Sequence, residues 1–212
     1  MSVAVKICGI REETGLQATI DGGARYVGFV FVPRSKRLIA PEKAQPLALK
    51  ASPHLQTVGL FEDPGDDDLR AVLDLVPLNV IQLHGHESPA RVSKIRARTG
   101  KTVMKVIHVA KPEDLANVAA YENVADMLMF DTKLGPLPTG GTGIAFDWTL
   151  LKGKTFARPW MLAGGINIGN IARAVQETGA RIVDLSSGVE NAAGQKDPEK
   201  IRALLKLAAE IP

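Results

Sequence analysis

The chain has 212 residues and a mass of 22.7 kDa, with 45% apolar and 23% charged side chains, a profile that excludes intrinsic disorder and fits one globular domain with a sizeable core. Its net charge of +3 and pI near 9.0 raise nucleic acid as a partner, but Lys and Arg are scattered and the densest group, Arg34 to Arg37, is short, so a solvated surface is expected rather than a nucleic-acid groove, and anionic small molecules stay open as ligands. A single cysteine excludes an internal disulfide, no charged-then-apolar leader opens the sequence, and the longest apolar run, Tyr26 to Val32, is too short for a bilayer; a cytoplasmic protein with no membrane partner is expected.

In chain order, Val5-Lys6-Ile7-Cys8 reads as a first strand stopped at Gly9, followed by a helix from Glu12 to Gly22 with Leu16 and Ile20 inward. Tyr26 to Val32 is apolar on both faces, the pattern of a buried parallel strand. Pro41 then opens a helix whose Ala44, Leu47, Ala48 and Ala51 share one face. The alternation repeats with a third strand at Thr57 to Phe61, a helix carrying Leu69, Val72, Leu73 and Val76, and a fourth strand at Asn79 to His84. Ser88-Pro89 marks the start of the next helix. A fifth strand at Thr102 to Ile107, a helix from Pro112 to Tyr121 and a sixth strand at Ala125 to Asp131 follow.

The rhythm breaks at Thr132 to Ala145, a long loop rich in Gly, Pro and Thr, of the kind that serves as a lid or binding loop. After a short helix around Phe146 to Leu151, the seventh strand is Trp160 to Ala163, and Ile168, Ile171, Ala172 and Val175 are expected to line a helix. The eighth strand is Arg181 to Ser186, and a last helix starts at the Asp197-Pro198 cap with Ile201, Leu204, Leu205 and Ala208 inward. Eight strands alternating with eight helices, with no linker, predict one closed α/β (βα)8 barrel, a TIM barrel, over residues 1–212. A doubly wound open sheet would need a glycine-rich phosphate loop after the first strand, which Cys8-Gly9-Ile10-Arg11 is not.

Gly164-Gly165 after the seventh strand and Ser186-Ser187-Gly188 after the eighth fall in the two loops where such a barrel binds phosphate. Cys8 and Asp131 end the first and sixth strands, so both reach one cup from different sides. An acid and a potential thiolate beside a phosphate point to proton movement on a sugar phosphate. His54, His84, His86 and His108 fall on separate loops with no recognised ligand spacing, so no metal is expected. By strand alternation Lys6 shares the interior face with Cys8, and Asp184 shares the parity of Ser186 on the adjoining strand. Gln82 and Lys105 are expected in the same interior layer. A free thiol must be lowered, and a carboxyl raised, to serve as base and acid near neutrality.

Taken together, Lys6-Ile7-Cys8-Gly9-Ile10, Gly28-Phe29-Val30-Phe31, Ser35-Lys36-Arg37, Gln82-Leu83-His84-Gly85, Asp131, Gly140-Gly141-Thr142-Gly143, Phe146-Asp147-Trp148, Ala163-Gly164-Gly165 and Asp184-Leu185-Ser186-Ser187-Gly188-Val189-Glu190 resemble the motif series of phosphoribosylanthranilate isomerase. The resemblance covers essentially the whole chain. It implies the step of tryptophan biosynthesis that converts N-(5-phosphoribosyl)anthranilate into the aminodeoxyribulose phosphate by an Amadori rearrangement, without metal or organic cofactor, in a monomer or homodimer. By the same resemblance Cys8 is the general base, Asp131 the general acid and Arg37 the partner of the anthranilate carboxylate, with Gln82, His84, Gly143 and Asp184 binding substrate. Ile144 departs from the family, in which a basic residue is common at that place.

Overall fold

Residues 2–132, 145–192 and 194–212 are described by the computed structural model of the chain. Eight parallel strands close into a barrel in chain order: β1 (Ala4–Cys8), β2 (Tyr26–Val30), β3 (Gln56–Phe61), β4 (Val80–Leu83), β5 (Thr102–Val109), β6 (Met127–Thr132), β7 (Trp160–Leu162) and β8 (Ile182–Leu185). Closure is made by β8 pairing with β1, with Lys6 opposite Asp184, while β1 pairs with β2 on its other side, with Cys8 opposite Gly28. A two-stranded hairpin, β9 (Glu190–Ala192) with β10 (Gln195–Lys196), follows the barrel and was not legible in the sequence.

Seven α-helices cover the strands among the described residues: α1 (Glu13–Asp21), α2 (Pro41–Ala51), α3 (Asp66–Leu75), α4 (Pro89–Thr99), α5 (Val118–Glu122), α6 (Ile171–Thr178) and α7 (Pro198–Glu210). Among the described residues, the eighth position, between β6 and β7, holds the 3-10 turn Trp148–Leu151 and no α-helix, and the expected helix from Pro112 to Tyr121 is split into a 3-10 turn, Pro112–Leu115, and the short α5. The caps act as their residue types require: Ser88 Oγ accepts from the Arg91 N–H, and the Asp197 carboxylate accepts from the N–H groups of Glu199 and Lys200. On α7 all four expected inward residues are buried. On α6 the expectation holds for Ile171 and for Val175, which packs partly buried against the core, and fails for Ile168 and Ala172, because the helix begins at Ile171 after a turn held by Asn167 N–H donating to Asn170 Oδ1. Ile171, Ala174 and Thr178 face inward, and Ile168 is half exposed at 50%.

Alternation along the strands divides the barrel interior into two levels. The lower level is apolar, filled by Tyr26, Val58, Val80, Met104, Val106, Met127, Met129, Met161 and Ala163, with flexible methionines taking up the irregular space. The upper level is polar, with Lys6, Cys8, Gln82, Asp131, Asp184 and Ser186. Lys105 does not belong there. Its neighbours Met104 and Val106 point into the barrel, so Lys105 points outward, where its ammonium meets Glu87 at 2.6 Å. No helix among the described residues is long and apolar enough to cross a membrane.

Candidate active site

The polar level opens upward into a cup, open to solvent, whose wall includes Cys8, Arg37, Gln82, His84, Asp131, Asp184 and Ser186. Cys8 is seated against β2 because position 28 is glycine: a Cβ there would lie 2.9 Å from the Cys8 Sγ and 3.2 Å from the Lys6 Cε. Lys6 is fully buried beneath the thiol, with its Nζ 2.7 Å from Asp184 Oδ1. A solvent-reaching Lys6 at the bottom of the barrel is thereby excluded. Burial pulls the Lys6 pKa down, but Asp184 and Cys8 outweigh it and leave it above the ordinary value.

Cys8 departs from expectation. Burial pushes its thiol up, Lys6 pulls it down, Asp184 pushes it up again, and the net result lies above the ordinary value, where a lowered one was expected. Asp131 behaves as the sequence requires of an acid: burial and the Asp184 charge raise its carboxyl to about 7 against the Thr132 N–H, which donates to Oδ1 at 2.7 Å.

Arg37 is almost buried and lies across the end of β1. Gly9, at φ +85°, makes this possible, since a Cβ there would stand 2.7 Å from the Arg37 Cδ. Its Nε and Nη2 donate to the two carboxylate oxygens of Glu190 at 2.7 and 2.9 Å, which leaves the Nη1 side of the guanidinium for another acceptor. Glu190 also accepts from Lys196 Nζ at 2.6 Å and from the Gly194 N–H. Burial raises its pKa, but Arg37 and Lys196 outweigh this and hold it at about 2. Lys196 further donates to the Ser186 carbonyl at 2.9 Å, so the hairpin ties Arg37 to the loop after β8. Sequence reading gave neither Glu190 nor Lys196 a role. Glu190 stood inside a quoted motif, whereas nothing marked Lys196.

His84 sits just past β4, buried, with its Nε2 3.5 Å from Asp131 Oδ2 and its ring edge against His108. The turn that carries it is pinned by Glu87, which accepts from the Asp63 and Gly85 N–H groups and receives the Lys105 ammonium; that ammonium also donates to the Gly85 carbonyl at 2.6 Å. At the rim Arg34 pairs with Glu62, which accounts for part of the basic loop.

Of the phosphate candidates only Ser186 lines the cup itself; its Oγ donates to the Cys8 carbonyl at 3.1 Å. Gly164, Gly165, Ser187 and Gly188 are not among the cup's lining residues and follow the ends of β7 and β8 in the chain. A Cβ on Gly164 would lie 3.2 Å from Asp131 Oδ1, and one on Gly188 2.2 Å from the Ile166 carbonyl oxygen, so the loops after β7 and β8 interlock at backbone distance. Gly143 and residues 133–144 of the expected lid lie outside the described residues. No group of three His, Cys, Asp or Glu side chains suited to a metal ion occurs among the described residues.

Residues 5–207 match the family described as N-(5'phosphoribosyl)anthranilate (PRA) isomerase. The N-(5'-phosphoribosyl)anthranilate isomerase of Rhodospirillum centenum is 52% identical over 215 residues, covering all of both chains. The crystal structure of the phosphoribosyl anthranilate isomerase of Thermotoga maritima is 35% identical, with a TM-score of 0.86 over 97% of this chain and 98% of that one. A phosphoribosyl anthranilate isomerase in complex with reduced 1-(o-carboxyphenylamino)-1-deoxyribulose 5-phosphate is 32% identical, with a TM-score of 0.82 and the same coverage.

Proposed function

Because the chain belongs to the N-(5'-phosphoribosyl)anthranilate isomerase family, we propose that Cys8 and Asp131 are the base and the acid of its isomerisation, and that Arg37 receives the substrate carboxylate. The chain converts N-(5-phosphoribosyl)anthranilate to 1-(2-carboxyphenylamino)-1-deoxyribulose 5-phosphate in tryptophan biosynthesis. The residue roles rest on one observation: a thiol and a raised carboxyl, delivered by β1 and β6, face a common cup that Arg37 also lines.

The chemistry follows from the groups. Protonated Asp131 gives its proton to the furanose ring oxygen, the C1′–O bond breaks, and the nitrogen lone pair forms a cationic Schiff base. The Cys8 thiolate then takes the C2′ proton, and the resulting enolamine tautomerises to the ketone. The iminium charge formed above Cys8 opposes the effect of burial on the thiol and favours thiolate at the moment a base is needed. Loss of phosphoribosylanthranilate fluorescence on incubation with the purified protein tests the activity directly; an unchanged signal at micromolar enzyme would overturn it.

For Arg37, the structure allows a division of labour in which Glu190 holds one edge of the fork and the substrate carboxylate meets Nη1. Arg37→Lys retains the charge but not both edges, so KM should rise by about 10- to 10²-fold, equivalent to ~1.5–3 kcal/mol, with kcat changed less. Steady-state kinetics give the answer, and an unaltered KM would remove the clamp.

The phosphate is assigned to the loops carrying Gly164, Gly165, Ser186, Ser187 and Gly188. Gly165 has φ +67°, so a bulky replacement there would strain the backbone and confuse binding with folding. Asn and Asp tolerate that conformation and have nearly the same shape. Gly165→Asp should therefore have a KM about tenfold or more above that of Gly165→Asn, through repulsion of the phosphate. Equal KM values in two folded variants would place the phosphate elsewhere.

A further inference from the structure

The mechanism above leaves one buried amide unused. Gln82 is 1% exposed, and its Nε2 lies 3.5 Å from the Met129 sulfur and 3.3 Å from His84 Nδ1. A thioether sulfur accepts hydrogen bonds and repels a carbonyl oxygen, so the NH2 end of the amide is the one turned toward it. The two N–H bonds of that end then serve both neighbours. The other end, Oε1, is buried on the cup wall without a partner among the described residues.

Two consequences follow from elementary hydrogen-bond accounting. His84 Nδ1, receiving a proton donor, must be the bare nitrogen of a neutral ring, so the ring proton is on Nε2, which faces Asp131 Oδ2 at 3.5 Å. Burial first, then His108 and Lys105, hold His84 well below its ordinary pKa and keep it neutral. A buried orphan acceptor carries a desolvation cost unless a ligand supplies a donor. The sugar hydroxyls of the substrate are donors of the kind that would relieve it.

We infer that Gln82 and His84 are positioning residues for the acid: Gln82 sets the His84 tautomer so that its Nε2–H is presented to Asp131, and reserves Oε1 for a hydroxyl of the sugar phosphate. The inference rests on Asp131 acting as the acid. Besides His84 on the β4 side, Asp131 faces Asp184 from β8 and Lys6 from β1, and its own Thr132 N–H donates to Oδ1. Through the Nε2–H, His84 favours the carboxylate form, so losing the correct tautomer should move the Asp131 limb of the pH profile upward.

The test begins on the unsubstituted enzyme with 15N-labelled histidine, where the ring nitrogen shifts distinguish the two tautomers. His84 should be the Nε2–H form; an Nδ1–H form would overturn the inference whatever the kinetics. In Gln82→Met, which preserves volume but removes the donor and leaves only a weakly accepting sulfur, His84 should no longer be held in the Nε2–H form and should become a mixture of tautomers. The ascending limb of kcat/KM should move up by about half a pH unit or more, and KM should rise about tenfold. An unmoved limb with unmoved KM would refute the positioning role. Should that variant fail to fold, Gln82→Asn replaces it, since its shorter arm withdraws the amide from His84. Asp131→Asn is run beside them. Full activity in that variant would remove the acid assignment itself, whereas an inactive Asp131→Asn with an Nδ1–H His84 would remove only the role of Gln82 and His84.

Discussion

Cys8→Ala and Asp131→Asn should each lower kcat by at least ~10²-fold, the lower end of what a general acid or base contributes, with little change in affinity for the reduced product analogue. The unsubstituted enzyme should have a bell-shaped pH profile of kcat/KM with an unusual assignment. With Asp131 as the proposed acid and Cys8 as the proposed base, turnover needs the first protonated and the second ionised, yet burial raises Asp131 to about 7 and places the Cys8 thiol above its ordinary value. Below pH 7 both groups hold protons, and above the thiol pKa neither does. Between those limits the required arrangement is a constant minority form, so activity rises through the carboxyl pKa and falls through the thiol pKa. Asp131→Asn carries a second signature. A carboxyl raised from 3.8 to about 7 destabilises the folded state as pH climbs through that interval, by at most on the order of 4 kcal/mol. The inactive Asn variant should therefore match the parent in Tm near pH 4 and exceed it at pH 8. Near-parental kcat in either variant would withdraw that residue from the chemistry, and a Tm difference independent of pH would contradict the raised carboxyl.

Lys6→Met should cost about 3–5 kcal/mol of stability, because it leaves Asp184 on the cup wall without its cation. The Lys6 pKa is raised in the folded state, so its contribution is complete below its ordinary value of 10.5 and is lost only as pH rises through the higher folded value. The deficit should thus be constant across neutral pH, which denaturant titration at pH 6, 7 and 8 can measure. Lys6 also opposes the effect of burial on Cys8, so the descending limb of kcat/KM should move to higher pH in whatever folded protein is obtained. A stable variant with an unmoved limb would mean that the ion pair neither supports the barrel nor tunes the thiol.

The barrel was legible because nearly every strand is apolar and punctuated by glycine or proline, and the upper-level residues were legible because strand ends in this topology converge. What failed did so for identifiable reasons. Lys105 was assigned inward, yet Met104 and Val106 on its two sides are as apolar as the residues that face the helices; a strand buried on both faces has no alternation to read. Ile168 fitted a helical period but lies three positions before α6 begins at Ile171, since nothing in the sequence says that Asn167 and Asn170 close a turn there. Glu190 and Lys196 act through a hairpin of five strand residues, too short for a period, and their partner Arg37 is 153 positions from Glu190. The thiol pKa was misjudged for a different reason: the lysine beneath Cys8 was foreseen, but the extent of burial that outweighs it is a property of the packed barrel.

The pairing of Lys6 with Asp184 spans 178 positions of the chain. It joins the first strand to the last, at the seam where the cylinder closes. Every other strand pair can form while the chain is incomplete, but until β8 docks, Lys6 has no carboxylate, and the chain must either leave it in water or leave β1 unclosed. Assembly of the candidate site is therefore the same event as ring closure, and among the longest loop closures this topology allows. An N-terminal fragment ending before Arg181 would hold Cys8, Arg37 and Asp131 in its sequence and still lack the site. Adding β8 and α7 back as a separate peptide should restore turnover and cooperative unfolding together, never one without the other.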